Sequence, residues 1–261
     1  MPKKTIFAPL ALLCLLTALL PNAQARSLSE IRESGGILQI GTSGDLPPFT
    51  YRVGAGYAGF ETELMTLLAA DLGLKVNFKV VPVDAAIRSL QLGQTDVSIG
   101  GLGITSTRAS RVNFTQPHAC AGMSVVARDP KIQTRFDLAG KSIGVLSGST
   151  IQSFVQKLPF EKKTKVYATT NDLIFAVGTG QVDATLGYYL MSPAIAKIYP
   201  KAGVHFGPVQ WSIPVGAMLA EDGDDSLRLS LNAALAKAMN DGRYEQLSVK
   251  YFSIDVRCRA Q

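Results

Sequence analysis

The chain has 261 residues, 47% of them hydrophobic, with 26 basic and 20 acidic side chains and a formal net charge of +6 at pH 7. That length fits one large domain or two smaller ones. The basic surplus is thinly spread, its densest run being Glu161-Lys162-Lys163-Thr164-Lys165, which excludes the clustered footprint of a nucleic-acid binder and leaves a weak field favouring anions.

Lys3 and Lys4 precede an apolar run over residues 6–20, Pro21 breaks it, and Ala23-Gln24-Ala25 offers a small-residue cleavage site. Residues 1–25 therefore read as a cleavable signal peptide. The run falls short of the roughly 20 residues that a spanning helix needs, and Cys14 follows Leu12-Leu13 rather than the small residues of a lipoprotein site. Removing this segment takes two lysines and no acid, leaving 236 residues with 24 basic and 20 acidic side chains, a net charge of +4. The expected location of the mature chain is outside the cytoplasm. Two cysteines remain, Cys120 and Cys258; outside the cytoplasm they are either a disulfide or two buried free thiols.

Strand-like and helical patterns then alternate. Residues 37–40 form an apolar strand, and Phe60, Leu64, Leu67, Leu68 and Leu72 share one helical face that Gly73 ends. A second strand covers residues 76–81. Asp84 is placed to cap a short helix reaching Leu92, and residues 97–99 make a third strand. Such alternation predicts an α/β protein with largely parallel sheets.

One octapeptide occurs twice. Gly93-Gln94-Thr95-Asp96-Val97-Ser98-Ile99-Gly100 matches Gly180-Gln181-Val182-Asp183-Ala184-Thr185-Leu186-Gly187, and each copy follows a helical pattern. Gly93 and Gly180 suit the left-handed position after a helix. Two helix-to-strand joints this similar predict two lobes of like topology. Ligands of open α/β sheets sit beyond the carboxyl ends of the strands, so Gly100-Gly101 and Gly187-Tyr188 are expected to face one shared crevice closed by a hinge.

After residues 97–100 comes Gly101-Leu102-Gly103-Ile104-Thr105-Ser106-Thr107-Arg108. The glycines admit a ligand close to the backbone, Thr105 can cap a short helical turn, and Arg108 offers a planar fork for a carboxylate. Ser106 stands where a dinucleotide loop needs glycine. Ser147-Gly148-Ser149-Thr150 joins a strand over residues 143–146 to a helix, without the G-x-S-x-G of a nucleophile elbow. His118 and His205, the only histidines, have no metal-ligand spacing. No cofactor or metal is expected.

Taken together these segments resemble the polar-amino-acid-binding proteins of bacterial importers over nearly all of residues 27–257. The landmarks include Gly41-Thr42, Pro48-Phe49, Gly56-Tyr57-Ala58-Gly59-Phe60-Glu61, residues 101–108, residues 141–148, Gly180-Gln181-Val182-Asp183-Ala184 and Tyr251-Phe252-Ser253-Ile254-Asp255-Val256. The resemblance implies a two-lobed clamshell, two sheets joined by two crossing strands near residues 125–130 and 213–219. It divides the chain into the signal peptide 1–25, a first lobe of 26–127 plus 219–261, and a second lobe of 128–218. It implies that Arg108 binds the ligand carboxylate, that residues 101–103 give backbone contacts, including Gly101 and Gly103, and that Ser149 and Thr150 close from the second lobe. Ser43 and Val83 stand where many members have an acidic and an aromatic contact, Gly103 where Thr or Ser is usual, and Tyr188 where an Asp holds the ligand's amino group.

The expectation is a monomeric solute-binding protein of an ABC importer that carries a small carboxylate-bearing solute, an amino acid or related organic acid, to a permease without chemistry. Two alternatives accompany it. Gly41-Thr42-Ser43-Gly44-Asp45 and Phe49-Thr50-Tyr51-Arg52 also resemble cyclohexadienyl dehydratase, a lyase of this fold, although Met191 takes the place of its catalytic Glu. An accessory protein that binds a protein partner is the other. Glu61 is expected to cap its helix, and Asp45 to lie in a turn.

Overall fold

A computed structural model describes residues 25–221 and 224–258. The signal peptide expected at residues 1–25 lies, apart from Ala25, outside the described residues. Among those described, no helix is long and apolar enough to cross a membrane.

Two mixed sheets carry the fold. The first runs in the order Lys75–Val80, Ile37–Thr42, Val97–Ser98, Met218–Ala220, Val112–Phe114. The second runs Lys163–Tyr167, Ser142–Leu146, Ala184–Tyr188, Ala119–Ala127, His205–Phe206, with Trp211–Val215 also on the Ala119–Ala127 strand. In each sheet the first three strands are parallel and the next joins antiparallel. The lobes thus share one topology.

The repeated octapeptide occupies the same joint in both. Gly93 and Gly180 adopt φ of +61° and +75° after the helices Ala86–Gln91 and Thr170–Gly178. The carboxylate of Asp96 accepts the backbone N–H of Gln39 at 2.7 Å, and that of Asp183 accepts the N–H of Ser142 at 2.7 Å. The backbone N–H groups of Asp96 and Asp183 donate in turn to the carbonyls of Gln39 and Ser142. An acid at this position therefore locks the incoming strand to its neighbour, which explains why the residue recurs.

The first crossing lies earlier than the expected 125–130. Residues 119–127 belong to the second sheet, because Met123 to Ala127 pair with Tyr188 to Ala184 and Ala119 to Met123 pair with Val215 to Trp211. Residues 115–118 make the passage, with the Thr115 N–H on the carbonyl of Ala217 and the His118 N–H on that of Val215. The return passage lies between Val215 and Met218, inside the expected stretch 213–219.

Cys120 and Cys258 form a disulfide. It ties the C-terminal tail to the base of the crossing strand, beside the hydrogen bond from the Cys120 N–H to the Val256 carbonyl. Helices Ser226–Asn240 and Arg243–Phe252 precede that tail and pack on Phe60–Asp71. Phe60 meets Tyr244 and Phe252 edge-on at 5.6 and 5.2 Å, and Phe49 links Phe252 to Tyr188 of the second lobe at 5.2 and 5.5 Å. Such aromatic pairs each add about 0.5–1.5 kcal/mol beyond area burial.

Candidate functional site

The expected ligand loops meet where the strands Val97–Ser98, Ser142–Leu146 and Ala184–Tyr188 end, facing each other across the cleft. Thr105 caps the short helix Ser106–Ala109, accepting the Arg108 N–H, as its sequence position implies. That turn aims Arg108 inward. The residue is 9% exposed, and its guanidinium donates to the carbonyls of Gly103 at 3.0 Å and Gly148 at 3.1 Å, one from each lobe. Among the described residues no carboxylate pairs with it. Burial pushes its pKa below the usual guanidinium value, opposed by the neighbouring Tyr188 oxygen. An arginine stays protonated regardless. The cleft therefore holds a desolvated cation whose natural complement is an anion.

Tyr188 ends the strand Ala184–Tyr188 of the second lobe. The side chain is buried and its hydroxyl donates to the Gly101 carbonyl at 2.8 Å, with Thr150 as a further hydrogen-bond neighbour. Burial pushes the hydroxyl well above the usual phenol value, so it stays a neutral donor. Gly101 adopts φ +61°, and a Cβ there would lie 2.5 Å from the Leu46 side chain and 2.9 Å from the Tyr188 ring. At Gly103 a Cβ would meet Ile213 at 2.6 Å. A side chain at 103 would have to displace the far end of Ile213, and the Tyr188 ring packs against Gly101, so both positions are met by packing from across the cleft.

Two cavities flank Arg108. The smaller, about 70 Å³, is lined by Gly101, Val83, Ser149, Thr150, Tyr188 and Met191 together with mostly apolar side chains, and among the described residues no acid lines it. The larger, about 490 Å³, opens on the other side of Arg108 and shares Val83, Ser149 and Thr150 with the first. Ser149 caps the helix Thr150–Gln156 through the Gln152 N–H. Ser43 and Gly103 line neither cavity; Ser43 lies beside Gly100, and Gly103 acts through its carbonyl on Arg108. Val83 belongs to a 3₁₀ turn, Val83–Ala85, so Asp84 caps no helix; its carboxylate accepts the Ser147 hydroxyl across the cleft at 2.7 Å.

Two further acids have roles that the sequence pattern misassigns. Glu61 is fully buried and caps nothing: Gly59 holds the N-cap position. Its Oε2 accepts the Gly101 N–H at 2.7 Å and its Oε1 lies 2.9 Å from His118 Nε2, joining the ligand loop to the first crossing. Asp45, in the short strand Asp45–Leu46, accepts the Thr170 N–H of the second lobe at 2.6 Å. Only their spacing from Gly101 and Thr170 in three dimensions reveals these partners. Among the described residues no group of three or more His, Cys, Asp or Glu could hold a metal. Met191 lines the smaller cavity, 4% exposed; a thioether cannot deliver the proton that a lyase requires there.

Known proteins resemble the chain over most of its length. Over 98% of its length the chain is 28% identical to a probable amino-acid-binding protein of Bacillus subtilis (strain 168), covering 97% of that protein. It is 30% identical to the histidine-binding periplasmic protein of Salmonella typhimurium, over 84% of this chain and 88% of that one. Among solved structures, an ancestral arginine-binding protein bound to arginine superposes with a TM-score of 0.79 at 32% identity, covering 83% of this chain and 98% of that one. An ancestral amino acid-binding protein described as a precursor of cyclohexadienyl dehydratase gives a TM-score of 0.79 at 29% identity, covering 86% and 99%. These relatives are named as binding proteins, which places the chain with non-enzymes rather than with the lyase. The model of the bacterial extracellular solute-binding proteins, family 3, matches residues 38–254. With its paired lobes, its interlobe arginine and that match over most of its length, the chain belongs to the bacterial extracellular solute-binding proteins, family 3.

Proposed function

We propose that this protein binds a small amino acid or related organic acid by its carboxylate, in the periplasm, and delivers it to the permease of an ABC importer. The observation that carries this reading is Arg108: a buried side chain bonded to one carbonyl from each lobe and, among the described residues, to no acid. A carboxylate offers two acceptors in the geometry of that fork and offsets the cost of desolvating the cation. Binding between lobes also supplies a closed form that differs from the open one, the signal a permease needs. The relatives' names point to amino acids as the solute class. The smaller cavity, however, offers no acid to an ammonium group and presents Tyr188 instead, which favours solutes whose amino group is absent, acylated or held elsewhere.

Arg108, Thr150, Ser149 and Gly101 are the contacts assigned to the carboxylate end, with Val83 and Tyr188 shaping the wall and Ser43 and Gly103 acting behind it. A thermal-shift screen of amino acids, small mono- and dicarboxylates and aromatic acids against the mature protein tests the proposal. Stabilisation by carboxylates, absent with their amides or esters, is expected. A screen in which amides stabilise as well as acids refutes the carboxylate reading.

A further inference from the structure

The larger cavity is out of proportion to a small amino acid and is lined by groups that the carboxylate reading leaves unused. Its volume of about 490 Å³ lies within the range of pockets for larger organic ligands. Helix Ala86–Gln91 and the turn Ser106–Ala109 wall it from the first lobe, helix Thr150–Gln156 walls it from the second, and the strand Trp211–Val215 contributes Trp211 and Ile213. Besides Arg108, three cations line it: Arg88 and Arg111 from one lobe and Lys157 from the other. Among the described residues Asp84 is the only acid in the lining, and it is bonded to Ser147. Among the described residues the side chains of Arg88, Arg111 and Lys157 make no hydrogen bond or ion pair. One wall is aromatic: Phe154 stacks on Trp211 with ring centroids 4.3 Å apart and planes tilted by 35°.

A cleft with one buried cation at its inner end, an aromatic face along its side and three uncommitted cations nearer solvent is complementary to one kind of molecule. It fits an acid with an apolar body and a second anionic group at the far end. We infer that the larger cavity is a second subsite for such a dianionic, aromatic or similarly flat organic acid, whose first carboxylate sits on Arg108. The proposal rests on the reading that Arg108 holds a carboxylate. The mouth cations come from both lobes, so the second anion would bridge them and add to closure. Exposed cations act on an anion through water and salt, so this part of the affinity should weaken as ionic strength rises.

The chain contains a single tryptophan, Trp211, and it lines this cavity, so its fluorescence reports occupancy directly. The test compares two matched probes, 3-phenylpropanoate and 3-(4-carboxyphenyl)propanoate, by Trp211 fluorescence and calorimetry. The proteins are wild type, Arg111→Ala/Lys157→Ala and Arg108→Ala, each verified as folded by circular dichroism. In wild type the dicarboxylate is expected to bind at least tenfold tighter than the monocarboxylate and to change Trp211 emission. In the double variant, which keeps Arg88, the gap between the two probes should narrow, and Arg108→Ala should lose both. Equal affinity of the two acids in wild type, a double variant that leaves the gap intact, or binding silent at Trp211 overturns the second subsite. None of those results touches the first reading, which fails separately if Arg108→Ala binds either acid as wild type does. Absence of binding by both acids to wild type at millimolar concentration also overturns the subsite.

Discussion

Replacing Glu61 with alanine tests how the ligand loop is held to the hinge. The side chain is fully buried, with one oxygen on the Gly101 N–H at 2.7 Å and the other 2.9 Å from His118 Nε2. Truncation leaves both groups buried without a partner, and each such group costs about 1–3 kcal/mol. The expected loss is therefore about 2–6 kcal/mol, a large part of a typical domain stability of about 5–15 kcal/mol. Glutamine keeps an acceptor for Gly101 and a polar atom beside His118, so Glu61→Gln should lose roughly 1–2 kcal/mol, the difference between a charge-assisted and a neutral bond. Urea unfolding followed by circular dichroism measures both. A loss below about 1 kcal/mol for Glu61→Ala, or equal losses for the two variants, refutes the argument that this carboxylate joins loop and crossing.

Three other outcomes follow from the same contacts. Converting Cys120 and Cys258 to serine opens a loop of 138 residues, and should cost about 2–4 kcal/mol, seen as a melting point lowered by roughly 4–16 °C for a protein of this size; an unchanged melting point contradicts it. Asp183 is held below the usual carboxylate range by the Ser142 backbone N–H and hydroxyl. A depressed pKa contributes stability that is present above the unfolded value of about 3.9 and is lost as pH falls through the lower folded value. Asp183→Asn should thus lose stability at pH 7 and show a shallower acid limb in denaturation midpoints. Tyr188→Phe removes the interlobe bond to the Gly101 carbonyl and should shift the ligand-free protein toward an open form by about 1 kcal/mol, visible as a larger radius of gyration in solution scattering.

Much of this architecture is legible in local sequence. The helix Phe60–Asp71 follows from its apolar spacing, and the repeated octapeptide announces paired lobes because glycine and aspartate are each demanded by the backbone of one joint. Arg108 is legible too, since Thr105 caps the turn that aims it. What local pattern hides is partnership over distance. Residues 119–127 are small and apolar enough to suit either sheet, and only pairing with Ala184–Tyr188 and Trp211–Val215 assigns them to the second. Glu61 looks like a helix cap because it stands in a first turn; its partners arrive 40 and 57 residues later. The aromatic and cationic lining of the larger cavity is gathered from four separate elements, from Lys157 just past one of them and from the loop carrying Arg111, so no motif signals it.

Calorimetry of wild type and Arg108→Ala with the tightest acid from the carboxylate screen decides whether the cleft closes on a carboxylate. Arg108 is buried, paired with no acid among the described residues and shared between the lobes, so its loss should cost about 2–5 kcal/mol of affinity, at least about 30-fold. Affinity within a factor of two of wild type, in a folded Arg108→Ala protein, would contradict the account that this cleft closes on a carboxylate.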